Sequence, residues 1–498
     1  MSSAADRAGL RGRVLRGLGW KATSQLFGQG LSIVSTVVLA HLLTPHDFGL
    51  AAMALVFGSL AVMLADLGLG AALVQRPTLT EEDRSTAFWT SAGIGFVLTL
   101  LGVALARPIA TAYQEPDVAP LVAVFSLNFL LAALGTTQGA LLIRDLRFRA
   151  LELRSLAAAA LALTVAIVAA ALGAGAWALI AQALTSTGAS TLLLWRSSPW
   201  RPRLVWSRGS LDRLKNLSGA VFGTDILFYL NRNVDNVLIS RFLGPAALGL
   251  YSMAYNAMLI PLLRLVSPIG QVLFPAFSRL GDPRAVGELW LRVTRVTSAL
   301  TVPAFVGLAV VAPDLVGTVL GSQWHGVTRI LQVLAWVGIL QAVTWETQGV
   351  LTALGRAGTI FRYALVSSTL TVAAFAIGVT QGVVAVAVAY AAVTTLLSPV
   401  YLTLGLRATG LSLRRFAGAL AGVAAAAAVM GGVVLALRLL VLDGIGPWAR
   451  LVLLTAAGIA VYVPLVGVLT PALRDELRGL RERRAAGAAA APVEAAAR

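Results

Sequence analysis

Apolar stretches of about twenty residues recur from Leu10 to Pro471, each closed by a short interruption of glycine, proline or charge. About twenty residues at 1.5 Å rise cross the ~30 Å hydrocarbon layer of a bilayer. The pattern therefore predicts an all-α integral membrane protein of about fourteen transmembrane helices, near 17–40, 48–66, 86–107, 118–143, 152–172, 175–195, 215–241, 247–275, 293–312, 327–354, 361–380, 382–406, 415–438 and 449–470. No polar segment between them is long enough to fold as a soluble domain.

The loops test that count, because a missed or invented helix would scramble their charges. Arg76/Arg84, Arg144/Arg147/Arg149, the Arg196–Lys215 connection, Arg279/Arg284, Arg356, Arg407/Arg414 and the tail from Arg478 fall with the Arg-rich N-terminus on one side. The other side receives His41 to His46, Gln114-Glu-Pro-Asp117, Gly173-Ala-Gly175, Gly244-Pro-Ala-Ala247, Ser322-Gln-Trp-His325, Thr380-Gln-Gly382 and Asp443-Gly-Ile-Gly446. Positive charge marks the cytoplasmic face, so both termini are expected there. The Arg-rich start leads into an uncleaved first span rather than a signal peptide, since its apolar run is followed by many more. Residues 485–498, rich in alanine, carry no packing pattern and are expected to be disordered.

A repeat divides the chain. Residues 38–54 align without gaps to 238–254, pairing Leu43 with Leu243, Pro45 with Pro245, Gly49 with Gly249, Leu50 with Leu250, Met53 with Met253 and Ala54 with Ala254. Spans one and two thus recur as spans seven and eight. An even number of spans separates the copies, so both enter the membrane from the same side and the halves should be parallel repeats.

Composition agrees with lipid as the solvent: mean hydropathy is +0.83, and 58% of residues are hydrophobic against 12% charged. The net charge of +17 sits in arginines between apolar segments rather than on a basic face, which excludes nucleic acid as a partner. Absence of cysteine removes disulfides, thiolate metal sites and thiol nucleophiles together. Lysine occurs only at Lys21 and Lys215, with no Gly-rich phosphate loop around either, and His41, His46 and His325 lack metal-ligand spacing. Neither a cofactor nor an enzyme activity is expected. Glu81-Glu-Asp83, the lone acidic cluster that a membrane glycosyltransferase could use, reads as a solvated loop or helix cap.

Polar residues inside spans carry the chemistry. Span seven holds Asp225, Asn231, Arg232, Asn233, Asp235 and Asn236. At 100° per residue, Asp225, Arg232 and Asn236 share a narrow stripe with Asn233 and Asp235 on its flanks. Lys21, Gln25 and Gln29 give span one a thinner stripe, and Arg264 and Glu346 are the other intramembrane charges. A mid-membrane charge costs about 2.5–3.5 kcal/mol even on the lenient insertion scale, so such groups face a bundle interior or a wet cavity. Two readings stay open. Arg232 with Asp235, and Arg264 with Glu346, neutralise each other as static glue; or the arginines, with Asn233, Asn236, Lys21 and Gln25, receive an anionic substrate while Glu346, Asp225 or Asp235 carries a coupling ion. Pro261, Pro268 and Pro275, spaced by seven, weaken span eight as a hinge or bend it around a cavity.

The segments Leu42 to Leu50, Asp66 to Arg76, Asn233 to Tyr251 and Val272 to Ser278 resemble the polysaccharide-transporter branch of the multidrug/oligosaccharidyl-lipid/polysaccharide flippase superfamily, in particular its Wzx-type exporters of the colanic-acid and teichuronic-acid kind. The resemblance implies two six-helix lobes around a central cavity, residues 1–200 and 201–410, with two accessory helices in 411–472 and a cytoplasmic tail in 473–498. It implies an undecaprenyl-diphosphate-linked oligosaccharide as substrate, flipped across the bacterial cytoplasmic membrane by alternating access, and makes a polysaccharide polymerase the candidate partner. With no nucleotide site in the chain, uphill work is expected to come from H+ or Na+ as coupling ion or from removal of product outside. Rival readings are a drug/cation antiporter of the same architecture, a flippase of peptidoglycan precursors, and a membrane glycosyltransferase or polymerase. Buried arginines argue against the first, and short, chemically bare outer loops against the last.

Overall fold

The computed structural model describes residues 27–66, 69–76, 78–440 and 444–474, and every regular element among them is helical. In chain order these are α1 (Phe27–Leu42), α2 (Pro45–Asp66), α3 (Leu69–Gln75), α4 (Glu81–Tyr113), α5 (Val118–Phe125), α6 (Leu127–Arg144), α7 (Phe148–Ala171), α8 (Trp177–Ser197) and α9 (Arg208–Pro261). There follow α10 (Ser267–Leu280), α11 (Pro283–Leu315), α12 (Val327–Thr344), α13 (Thr347–Ala353), α14 (Ala357–Gly378), α15 (Val383–Thr409), α16 (Leu413–Leu440) and α17 (Pro447–Leu469). Eleven helical stretches among the described residues are long and apolar enough to cross a membrane, and Phe27–Leu42 and Pro45–Phe57 are shorter apolar helices. The chain is a multi-pass membrane protein. The predicted spans 118–143 and 327–354 are each broken, at Ser126 and at Trp345–Glu346.

Contacts divide the chain into Met1–Ser252 and Met253–Arg498. In the first unit α7 packs along α8, α4 along α6, and α6 against α8. Phe96, Val97, Leu100, Leu101 and Val103 of α4 stay exposed, as side chains that face lipid can. In the second unit α11 is the spine, packed by α12, α16 and α17. The two helices expected to be accessory are joined to it. Asp314 of α11 pairs with Arg438 of α16 and, at 3.1 Å, with Arg450 of α17, while Tyr462 donates to the Ala299 carbonyl at 2.8 Å.

The two repeat copies meet inside the first unit. Pro45 and Pro245 each open a helical turn, where the missing N–H costs nothing because the first-turn donors are unpaired anyway. Thr44 and Asp47 cap the first copy reciprocally: the Thr44 N–H donates to Asp47 Oδ2 at 2.9 Å and the Asp47 N–H to Thr44 Oγ1 at 3.2 Å. The second copy begins instead at Gly244, with φ 81° and ψ 179°, a backbone conformation open to glycine and strained for other residues. Four residues beyond each proline stands a glycine. A Cβ on Gly49 would lie 1.7 Å from the Pro245 carbonyl oxygen, and one on Gly249 would lie 1.9 Å from that of Pro45. The contact is reciprocal, as a local two-fold relation requires, and small residues are what lets two helix backbones approach this closely.

Candidate functional site

The backbone of α9 is helical on both sides of its break at Gly244, so the polar positions of predicted span seven keep their helical spacing. Asn233 and Asn236 are half-buried, and Asn236 Nδ2 donates to Asn233 Oδ1 at 3.4 Å. Asp235 is buried and accepts from the Asn236 N–H at 2.8 Å and from the Tyr251 hydroxyl at 3.1 Å. Tyr251 lies beyond the break, so this carboxylate ties together the two helical parts of α9. The side chains of Asp225 and Arg232 on the same helix lie outside those described, as do Lys21 and Gln25.

In the second unit the chain passes from α9 through a π-helical turn, Leu262–Val266, into α10. Its cause is legible in the prolines. Pro268 has no N–H, so the Arg264 carbonyl loses its ordinary partner four residues on. The Ser267 N–H reaches back to the Leu262 carbonyl, one residue further than in an α-helix. Arg264 sits in this turn with its side chain exposed. Opposite α10, Glu346 occupies the break between α12 and α13 and is 5% exposed. Its Oε1 has no hydrogen-bond partner among the described residues, and a Cβ on Gly270 would lie 3.0 Å from that oxygen. Arg264 and Glu346 do not pair, so the neutralising contact weighed for them from sequence is not formed. Among the described residues no cluster of histidine and carboxylate side chains could hold a metal ion.

Glu81-Glu-Asp83 is a helix cap, as its spacing suggests, and also more. Thr80 and Asp83 form a capping box, the Asp83 N–H donating to Thr80 Oγ1 and the Thr80 N–H to Asp83 Oδ2, both at 3.1 Å. The carboxylate is buried and takes a charged hydrogen bond from Arg213 at 2.9 Å, with Arg76 at 3.7 Å. Around it the connection between α8 and α9 is laid onto the start of α4. Trp200 donates to Glu81 at 2.6 Å, the Arg203 N–H to Ser85 at 3.2 Å, Trp206 to Thr90 at 3.1 Å, and Trp89 to the Arg203 carbonyl at 2.8 Å. Thr80-x-x-Asp83 was visible in the sequence; a partner 130 positions along, at Arg213, was not. Arg154, just inside α7, drew no attention from sequence, yet it lines a cavity of about 670 Å³.

Residues 38–329 match the family model described as polysaccharide biosynthesis protein. The lipopolysaccharide biosynthesis protein WzxC of Escherichia coli (strain K12) is 29% identical over 372 residues, 74% of this chain and 76% of that one. The succinoglycan biosynthesis transport protein ExoT of Rhizobium meliloti (strain 1021) is 29% identical over 371 residues, 74% of this chain and 75% of that one. Among solved structures, the lipid II flippase MurJ in an inward closed conformation superposes with a TM-score of 0.72 at 15% identity, covering 91% of this chain and 99% of that one. An inward-facing multidrug resistance transporter of the MATE family and MOP superfamily gives 0.61 at 13% identity, covering 76% and 94%. Both structural likenesses concern the fold.

Proposed function

The chain belongs to the polysaccharide biosynthesis protein family, and from that premise we propose that it flips undecaprenyl-diphosphate-linked oligosaccharide repeat units from the inner to the outer leaflet of the bacterial cytoplasmic membrane. The observation that carries this is the family match over residues 38–329, which includes both repeat copies, the Asn233–Asn236 cluster and Arg264. A sequence relative is a succinoglycan transport protein, which favours export over synthesis. The fold shared with a lipid II flippase keeps the peptidoglycan-precursor reading as the rival, but that likeness holds at 15% identity.

The finer assignments follow physical need. A lipid-linked diphosphate requires permanent cations inside the membrane, and guanidinium forks suit phosphate oxygens. Arg232 and Arg264 take that role, with Asn233, Asn236, Lys21 and Gln25 for the glycan. The exposed Arg264 side chain supports it, being reachable by a ligand. Glu346 is the first choice for a coupling proton or sodium ion, because a buried carboxylate whose Oε1 lacks a partner among the described residues is poised to take one; Asp225 and Asp235 follow. Asp235 is the weaker of these, since Tyr251 already engages it. Fourteen spans with both termini cytoplasmic, arranged as two six-helix halves and an accessory pair that alternate access, complete the proposal, with a polysaccharide polymerase taking the delivered substrate.

Purified protein reconstituted with a fluorescent undecaprenyl-diphosphate-linked oligosaccharide tests this. Label should move between leaflets with the parent chain and stop with the Arg232→Gln, Arg264→Gln double variant, while protein content is unchanged. Transport of organic cations with an immobile lipid-linked glycan would overturn the reading in favour of an antiporter. Movement of lipid II alone would favour the peptidoglycan rival.

A further inference from the structure

The cavity of about 670 Å³ in the first unit lies among α3, α6, α7 and α8 and is lined by one charged side chain, Arg154. Arg154 of α7 is half-buried at its wall, and its one hydrogen bond among the described residues is a 3.4 Å contact from Nε to the Leu151 carbonyl of its own helix. No carboxylate lies within ion-pair distance of it among the described residues. Glu152, two residues earlier on α7, supports the charge through space without closing an ion pair with it. Across the cavity, Ser186 and Ser190 stand four apart on α8 beside Thr187 and Thr191, so hydroxyls line one helix face. Thr191 is spent on the Leu131 carbonyl at 2.7 Å; Ser186, Thr187 and Ser190 have no such partner among the described residues. Gly135 and Gly139 on α6 keep the opposite wall low.

A guanidinium whose donors close no ion pair, facing a row of hydroxyls in a membrane protein, selects an oxyanion that carries hydroxyl groups of its own. The volume is too large for a bare phosphate and falls within the range of small-molecule sites, about 300–1,000 Å³. We propose that this cavity is a binding site for a phosphate ester with a hydroxylated substituent, held by Arg154 through the phosphate and by Ser186 and Ser190 through the substituent. It is separate from the arginines assigned to transport. Two sources share that chemistry, a sugar phosphate and the glycerophosphate head group of an anionic phospholipid.

The test uses the full chain in nanodiscs of phosphatidylcholine, titrated with glucose 1-phosphate by calorimetry, and a second arm with phosphatidylglycerol in the discs, its retention quantified by mass spectrometry. Arg154→Gln should weaken one of the two ligands at least tenfold, with Arg154→Lys intermediate, while Glu82→Ala, exposed at the start of α4 and away from the cavity lining, binds as the parent does. Loss in the first arm identifies a sugar phosphate, and loss in the second a lipid head group. Gly139→Leu fills the cavity without touching the arginine: a Cβ there meets nothing closer than Leu194 Cδ1 at 3.9 Å. It should abolish the same binding. If both ligands bind Arg154→Gln and Gly139→Leu as they bind the parent, or if glucose binds as tightly as its phosphate, the site does not exist.

Discussion

Replacing Gly49 with alanine adds one methyl group where, among the described glycines of the first unit, the neighbouring backbone comes nearest. The new Cβ would begin 1.7 Å from the Pro245 carbonyl oxygen, where real Cβ contacts essentially never fall below 3.0 Å, so the two turns must part by about 1.3 Å. The obstacle is backbone and cannot rotate away. Parting the turns also loosens Leu43, Leu50, Met53 and Ala54, all buried beside the crossing. Overpacking of this kind costs typically about 1–3 kcal/mol, and the rigid neighbour puts Gly49→Ala toward the upper end. For a unit of this size each kcal/mol moves the melting temperature by about 2–4 °C. Thermal unfolding in detergent, followed by tryptophan fluorescence, should therefore show a loss of several degrees for Gly49→Ala and, by the reciprocal contact, for Gly249→Ala. The double variant should lose less than the sum, since a crossing already opened for one methyl partly accommodates the other. Gly30→Ala, with nothing within 4 Å of its added Cβ, is the control and should melt at or above the parent's temperature because alanine favours the helix. If Gly49→Ala melts with the control, the close crossing is not what this glycine provides.

Asp83→Ala removes one half of the α4 capping box and the buried partner of Arg213; it should cost about 1–3 kcal/mol and expose 198–207 to limited proteolysis, whereas Glu82→Ala, on the exposed side of the same turn, should leave the cleavage pattern unchanged. Glu346→Gln should retain binding of the lipid-linked glycan while losing any acceleration of flipping by a proton or sodium gradient; acceleration equal to the parent's would return Glu346 to a packing role. Single cysteines introduced into this cysteine-free chain should be labelled from outside at Asp117 and Gln323, and at Gly209 and Arg356 only after permeabilisation. Labelling of Gly209 from outside would refute the orientation.

That the chain is built of apolar helices was written in the alternation of apolar runs and charged loops, because lipid leaves a chain few options besides the helix. So were the repeat and the proline that opens each copy. That the copies touch was not: a glycine in a sequence marks permission for close approach but not the neighbour, and Pro245 lies far from Gly49 in the chain. The Asn233–Asn236 cluster was found by its cost in lipid. The tie from Asp235 to Tyr251 escaped because it crosses the Gly244 break, where a helical wheel no longer applies. Arg264 fell beyond the reach of the wheel for a similar reason, standing in a π turn. Arg154 was missed because an arginine near a helix end reads as a topology signal, and only the hydroxyl row of α8, thirty-odd residues away, gives it another meaning.

Length, rather than residue identity, is what inheritance must guard at Leu262–Val266. The turn holds one residue more than α-helical bonding would count, as the Ser267 N–H to Leu262 carbonyl bond shows. A lineage that lost one codon there would remove the extra residue, and everything downstream would turn by about 100° and shorten by about 1.5 Å. Gly270 would then swing away from Glu346, and a side chain would come round to face the carboxylate in its place. Point changes within the turn leave that phase alone; a deletion resets it for the whole of α10.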